Sequence, residues 1–430
     1  MIDNELPLLL AKSKLKRIVI AGGGFGGLQL CKDLRGQNYE VVLIDRHNYH
    51  TFQPLLYQVA TGGLEPDSIA YPFRKLFKKY PNFYFRLAEI EKIDTENNLI
   101  TTDLGILKFD VLVLATGSKT NFYGLEGVKK NAFPMKTIPQ ALDLRSIILQ
   151  NFEEALQLKD QLLLNEQINI VIVGGGPTGV EMAGALGELK NNIFPLDYPE
   201  LNISMMQVYL IEAGNRLVSG MSKQASAKAL EYLEKFGINV LLSSSVKDFD
   251  GKKVFLNTDK TLSAKTLIWA AGVHGSLPEG LPAQLLAKAN RIKVNRHCKL
   301  EGFENIYAIG DLAFMEEENY PTGHPMVAPV AIQQAKFLAK HFYRINKNSQ
   351  LIPFSYKNKG SMATIGRNKA VVDMPGFRFQ GIFAWFVWMF VHLMSIVGFR
   401  NRVVVLFDWF WNYISFDQDL RLIIRPYKRK

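Results

Sequence analysis

RIVIAGGGFGGLQL, running from Arg17 to Leu30, decides the fold. It opens on a short run rich in Ile and Val, the pattern of a buried strand. Three glycines follow in G-x-G-x-x-G order, Gly22, Gly24 and Gly27, and a helical pattern comes after them. In that order the first glycine permits a tight turn, the second lets backbone approach a pyrophosphate, and the third lets helix and strand pack closely. The helix N-terminus offers free backbone N–H groups to phosphate. The next strand-like run, YEVVLID, ends on Asp45, where a carboxylate can take ribose hydroxyls. Phe25, Gly26 and Arg46 complete this first candidate dinucleotide site.

The pattern occurs twice. NIVIVGGGPTGVEMAGAL begins at Asn169 and places Gly174, Gly176 and Gly179 in the same order, with Pro177 and Thr178 between. The following strand, MQVYLIEAG, carries Glu212, set further downstream by the polar stretch NNIFPLDYPELNISMMQ. A carboxylate there favours NADH, because it repels the extra phosphate of NADPH, although Arg216 is near in sequence. Two such sites in one chain imply two dinucleotides in one reaction, and the economical pairing is FAD with NADH. Further strand-like runs, FDVLVLATG, KTLIWAAGV and NIYAIGD, alternate with helical patterns, which predicts parallel sheets with crossover helices. The expected class is therefore α/β, with two Rossmann-like dinucleotide-binding domains. The repeats suggest a first domain over residues 1–133, a second over 134–295, a return to the first over 296–346, and a C-terminal region over 347–430.

At 430 residues, with 48% apolar and 21% charged residues, the chain has an ordinary globular balance. Its net charge of +11 includes Arg378, Arg400, Arg402, Arg421, Arg425, Lys428, Arg429 and Lys430, beside the most apolar stretch. Cations flanking apolar helices favour an anionic membrane surface over nucleic acid. Cys31 and Cys298 form no close pair, so no redox dithiol is readable, and a reducing cytosolic setting fits. The N-terminus reads as neither a signal peptide nor a presequence. No cluster has metal-ligand spacing. His274 and His324 read as loop histidines, and Cys31 as a core residue.

The order of motifs is first fingerprint, Ala115-Thr116-Gly117, second fingerprint, then Ala308-Ile309-Gly310-Asp311. It resembles that of the two-dinucleotide flavoproteins. FQPLLYQVATGGL (Phe52 to Leu64), GGGPTGVE, LIWAAGV, VAPVAIQQAKFLA (Val327 to Ala339) and KGSMATIGRNKAV narrow the resemblance to type II NADH:quinone oxidoreductases. The resemblance implies that the first fingerprint holds non-covalent FAD, with Asp311 near its ribityl chain and Ala115 to Gly117 on the pyrophosphate side. It implies that Gln53 and Pro54 lie beside the isoalloxazine, and Ala271 and Gly272 near the nicotinamide. Glu181 would stand between nicotinamide and quinone, where burial would raise its pKa and let it relay a proton or orient NADH. The alternative is a first-turn carboxylate favoured by the helix dipole. Gln333 and Gln334 carry amides suited to a quinone carbonyl. Where some family members carry the first glutamine of this helix, the chain has Pro329.

From Gly381 to Phe399 the sequence is nearly all apolar and aromatic, long enough to span a bilayer. Its tryptophans, Trp385 and Trp388, sit inside the run, and Trp409 and Trp411 follow Asp408. Such aromatics with flanking arginines favour helices lying in the interface over a spanning hairpin or a buried dimer core. The resemblance implies a monotopic homodimer on the cytoplasmic face of the cell membrane. Its role would be electron transfer from NADH to ubiquinone or menaquinone in the respiratory chain without proton pumping. The competing enzyme is a sulfide:quinone oxidoreductase, which needs cysteines beside the flavin. A nucleotide-binding sensor or scaffold would lack turnover.

Overall fold

The computed structural model describes residues 6–10, 13–415, 421–423 and 426–428. Arg425, Arg429 and Lys430 lie outside the described residues, as do 1–5 of the N-terminal stretch. In chain order the elements that matter for the site are β1 (Lys16–Ala21), β2 (Tyr39–Asp45), β3 (Phe83–Leu87), β4 (Val111–Leu114), β5 (Phe133–Pro134), β6 (Ile170–Val173), β7 (Val208–Ile211), β8 (Ile238–Leu241), β9 (Thr266–Trp269), β10 (Ile306–Ala308), β11 (Ser361–Thr364), β12 (Ala370–Met374) and β13 (Phe377–Gln380). The helices are α1 (Phe25–Asp33), α2 (Leu56–Ala60), α3 (Ile138–Ala155), α4 (Pro177–Glu188), α5 (Lys223–Lys235), α6 (Ala328–Asn346), α7 (Ile382–Ser395) and α8 (Phe399–Ser415).

Two compact units result. The first comprises 1–50, 71–119 and 273–358; the second comprises 51–70, 120–272 and 359–430. In the first, a parallel sheet has the order β10-β4-β1-β2-β3. In the second, a parallel sheet has the order β5-β9-β6-β7-β8. Every strand expected from the sequence lies in one of these two sheets. Each is accompanied by a three-stranded antiparallel sheet, over residues 90–108 in the first unit and 246–263 in the second. The central strands are buried along their length, which is why they read as unbroken apolar runs.

The units break at other places than 133, 295 and 346, and packing gives the reasons. Phe122, Leu125 and Ala132 pack on the second unit's core of Val171, Leu267 and Trp269, which includes Val128. In the first unit Arg291 is buried and donates to the carbonyls of Asp311, Ala313 and His324, which fixes residues around 291 there. Residues 51–70 join the second unit because α8 holds them. Asn401 Nδ2 donates to the carbonyls of Asp67, Ser68 and Ala70, Trp409 Nε1 to Gln58 Oε1 at 2.7 Å, and Asn412 Nδ2 to the Gly63 carbonyl.

The long apolar run is two elements. α7 ends at Ser395, Gly398 takes φ +93, and α8 begins at Phe399. At ~1.5 Å per residue a helix of 14 residues such as α7 is shorter than the ~30 Å hydrocarbon core. Among the described residues no helix is long and apolar enough to cross a membrane.

Helix α4 sits unusually close to its neighbours because its sequence is small. A Cβ on Gly184 would lie 2.7 Å from the Ile365 backbone, in the turn joining β11 and β12. Alanine at this position improves helix propensity by ~1 kcal/mol but forces backbone apart, at ~1–3 kcal/mol. Sterics win, so Gly184→Ala should lower the urea midpoint and the Tm, and a rise in either would show that the turn yields.

Candidate active site

The two fingerprints fold into the same cradle. At the first, Gly22 takes φ +102 and its N–H donates to the Ile44 carbonyl at 2.8 Å. At the second, Gly174 takes φ +109 and donates to the Ile211 carbonyl at 2.8 Å. A Cβ on Gly27 would meet the Gly22 carbonyl oxygen, and one on Gly179 the Gly174 oxygen, so helix and turn touch as the spacing requires. Gly24 and Gly176, by contrast, have no atom within 4 Å of an added Cβ. That open approach at the N-cap of α1 and of α4, with no side-chain cap on either, fits a pyrophosphate.

The strand-end carboxylates close both cradles alike. Asp45 Oδ2 accepts from Gly23 N at 2.6 Å, and Oδ1 accepts from His47 N at 2.7 Å. Glu212 Oε2 accepts from Gly175 N at 2.6 Å, and Oε1 accepts from Gly214 N at 2.7 Å. Each oxygen keeps further lone pairs for ribose hydroxyls. The polar stretch before β7 is packed rather than loose: Phe194, Tyr198, Leu201 and Ile203 are buried. Arg216 does not offset Glu212. Its guanidinium donates to the Met221 and Ser219 carbonyls and to Ser226 Oγ.

In the first unit, Ala115 N donates to the Ala21 carbonyl, Thr116 Oγ1 to the Ser276 carbonyl, and Gly117 takes φ +69 with open space around it. Ser118 Oγ donates to Asp311 Oδ2 at 2.5 Å. Gly310 takes φ +72 and its N–H donates to Gln334 Oε1 at 2.7 Å. Gln334 is fully buried, and the Gln333 amide both donates to and accepts from the Lys357 backbone. Gln334 Oε1 thus sets the Asp311 turn while its buried Nε2 has no hydrogen-bond partner, and Gln333 anchors the segment after α6. Phe25 and Gly26 open α1, Arg46 is exposed, and Gln53 and Pro54 form a 3-10 turn in the second unit with Gln53 exposed. Ala271 and Gly272 follow β9, and Gly272 takes φ +103 against Tyr123 Oη.

Within the second unit a cavity of about 670 Å³ opens beside α4. Glu181 lines it and is 7% exposed. It is the fifth residue of α4, past the first turn, so the helix dipole is not what holds it. Burial pushes its carboxyl up to about 8, against the lowering effect of the Thr364 backbone N–H and the Trp388 indole that face it. Burial and the neighbouring Glu181 raise the hydroxyl of Tyr57, also on the cavity, well above its ordinary value. The roof comes from α7 and α8, with Trp385, Trp388, Trp409 and Asn412. Trp388 is buried and stacks on His392 at 4.1 Å, and burial lowers that imidazole to about 4.

Sequence reasoning missed several of these groups. Ser118 and Arg291 gave no local signal. Glu188 did, standing seven residues after Glu181 on a helix otherwise nearly free of charge. His324 is not an exposed loop residue: it is fully buried, with Nε2 paired to Glu317 Oε2 at 2.8 Å. Cys31 and Cys298 are both buried, and burial raises both thiols, which leaves no nucleophilic pair for sulfide chemistry. Among the described residues no group of His, Cys, Asp and Glu could hold a metal ion.

Known proteins agree with this geometry. The profile of the pyridine nucleotide-disulphide oxidoreductases matches residues 16–335, and that of the NDH2 C-terminal domain matches 358–415. The type II NADH:quinone oxidoreductase NdhA of Mycobacterium tuberculosis is 35% identical over 91% of this chain and 86% of its own. In fold, the chain resembles NDH2 of Plasmodium falciparum, solved in complex with NADH, at a TM-score of 0.87 and 24% identity over 96% of this chain and all of that one. The sulfide:quinone oxidoreductase of Aquifex aeolicus is more distant, at a TM-score of 0.71 and 21% identity over 95% of this chain and 96% of its own. The chain belongs to the pyridine nucleotide-disulphide oxidoreductases and, among them, to the type II NADH:quinone oxidoreductases.

Proposed function

We propose that this chain binds FAD and oxidises NADH, passing two electrons to a membrane quinone in the respiratory chain without pumping protons. The observation that carries the reading is the doubled cradle, in which two helix N-termini and two clasped carboxylates stand ready for two dinucleotides. When bound, FAD supplies what no side chain here has, the capacity to accept a hydride and pass on its electrons. The chain does the rest. Gly22 to Gly27, with Asp45, Arg46 and the Ala115-Thr116-Gly117 turn, holds the FAD pyrophosphate and ribose. Asp311, fixed by Ser118, Gln334 and Arg291, faces the ribityl chain, and Gln53 and Pro54 serve the ring. Gly174 to Gly179 with Pro177 and Thr178, Glu212, Ala271 and Gly272 hold NADH. Glu181 keeps a proton at neutral pH and gives it up at the quinone end of the reaction. Gln333 and Gln334 serve that end with their amides, and the Gln334 Nε2 is a buried donor with no hydrogen-bond partner.

The outer faces of α7 and α8 support membrane attachment, and the cytoplasmic face is the side on which NADH would be met. Phe383, Phe386, Phe390, Phe399, Phe407 and Phe410 are each more than half exposed, while Ala384, Trp388, Asn401, Val405 and Trp409 face inward. Such two-faced helices beside Arg378 and Arg400 suit the plane of a lipid interface, where a long-tailed ubiquinone or menaquinone is met from below and NADH from the water. Part of the same apolar surface would join two copies in a homodimer.

The first measurement is an anaerobic titration. One NADH per FAD should bleach the flavin absorbance, and a short-chain quinone should restore it; bleaching by sulfide instead would overturn the assignment. Glu212→Ala removes charge-assisted hydrogen bonds of ~1.5–3 kcal/mol, so KM for NADH should rise roughly 10- to 100-fold while discrimination against NADPH shrinks. Because Glu181 is protonated below about pH 8 and ionised above it, the wild-type rate of quinone reduction should fall as pH rises through about 8. Glu181→Gln should be slower and lose that bend; an unchanged profile would remove Glu181 from the proton's path. Phe390→Glu combined with Phe407→Glu should abolish sedimentation with anionic vesicles but leave bleaching by NADH intact.

A further inference from the structure

Each turnover of the proposed reaction takes one proton from solution: NADH, one proton and quinone give NAD and quinol. The hydride brings two electrons and one of the two quinol protons. The other must reach Glu181, which is 7% exposed, from water. A cavity beside α4 reaches Glu181.

Glu181, Ala185 and Glu188 all line the same cavity. They stand four and three residues apart on α4, so they form one stripe along one helix face. Alanine in the middle position leaves the space between the two carboxyls open. The cavity volume, about 670 Å³, is far above the ~30 Å³ share of a single water. Thr61, Asn192 and Asn368 add hydroxyl and amide groups along it, and the Asn368 Oδ1 is buried with no hydrogen-bond partner. Glu188 is the outer of the two, partly exposed where Glu181 is buried.

We propose that Glu188 is the entry station of a proton route, and that water in this cavity carries the proton from Glu188 to Glu181. The idea rests on the reading of Glu181 as the acid for quinone. In each cycle the Glu181 O–H bond breaks as the quinol O–H bond forms. Glu181 regains its proton from Glu188 through water, and Glu188 regains its own from solvent, so both carboxyls end as they began.

The charges facing the path suit this use. Arg367 and Lys369, from the turn between β11 and β12, are the cations nearest Glu188, and the Arg367 backbone N–H donates to Glu188 Oε1 at 2.5 Å. Lys369 Nζ also lies 4.2 Å from the Phe236 ring centroid, and the Arg367 guanidinium lies 4.9 Å from that of Tyr413. Tyr57 from α2, Tyr232 from α5 and Tyr413 from α8 complete the titratable lining. Burial raises the Glu188 carboxyl despite these cations, which brings its proton affinity toward that of Glu181.

A purely structural Glu188 would only hold the turn through the Arg367 N–H, and glutamine keeps that acceptor. Glu188→Gln therefore separates the two roles. In FAD-loaded protein, bleaching by NADH precedes any quinone chemistry and serves as the internal reference. Reoxidation by quinone should slow by at least about tenfold in Glu188→Gln, as losing a proton relay implies, with a larger solvent isotope effect. Proton uptake followed by a pH-indicator dye should lag equally. Added formate should restore both in Glu188→Ala, because a small acid can enter the space left. Wild-type reoxidation and proton uptake in Glu188→Gln, with Glu181→Gln slow, would overturn the route and leave the Glu181 reading standing. Wild-type behaviour in both variants would overturn both. A slow Glu188→Gln beside a wild-type Glu181→Gln would overturn Glu181 as the route's end.

Discussion

The second unit is organised around a buried carboxyl. Glu181 points from α4 into a cavity that must be closed enough to keep the group protonated and polar enough to accept it uncharged. Its neighbours follow from that demand. Glycine and alanine on α4 let the turn between β11 and β12 reach the helix backbone and bring the Thr364 N–H to the carboxyl. Trp388 then closes the roof with its indole rather than with a charge, which would have pulled the proton off.

The same turn explains why the C-terminal helices are as they are. Arg367 Nη2 donates to the Asn412 carbonyl on α8, and Asp373 on β12 accepts from Ser222, the N-cap of α5. The hairpin thus ties α8 to the fingerprint fold, and α8 in turn ties residues 51–70 through Asn401, Trp409 and Asn412. One face of α7 and α8 is fixed by these contacts. The other carries the large exposed aromatic side chains, so the helices that close the cavity also present an apolar outer face.

The two cradles show how little of a dinucleotide site depends on sequence identity. Asp45 and Glu212 differ by a methylene, and the segments leading to them differ in length. Yet each accepts the N–H of the residue after the first fingerprint glycine, Gly23 or Gly175, at 2.6 Å. The constraint is the positive φ of Gly22 and Gly174, which turns the next N–H toward the neighbouring strand end. The carboxylate is thereby oriented before any nucleotide arrives.

The sequence by itself determined both Rossmann-like sheets, both cradles with their carboxylates, and the existence of an apolar, aromatic C-terminal segment. These are local matters: glycine at a positive φ, strands buried on both faces, and an acid at a strand end depend on near neighbours in the chain. The remaining features depend on contacts between distant segments. The loop at 51–70 joins the C-terminal helices because asparagine amides over three hundred positions away satisfy its carbonyls. The run from Gly381 to Phe399 breaks at Gly398 because α7 and α8 must both lay one face on the cavity. The Gln333 amide is engaged by the Lys357 backbone and the Gln334 Oε1 by the Gly310 N–H, and Glu181 and Glu188 share a cavity walled by segments far away in sequence. A carboxyl's proton affinity depends on what surrounds it in space, and no spacing of letters along α4 could supply that.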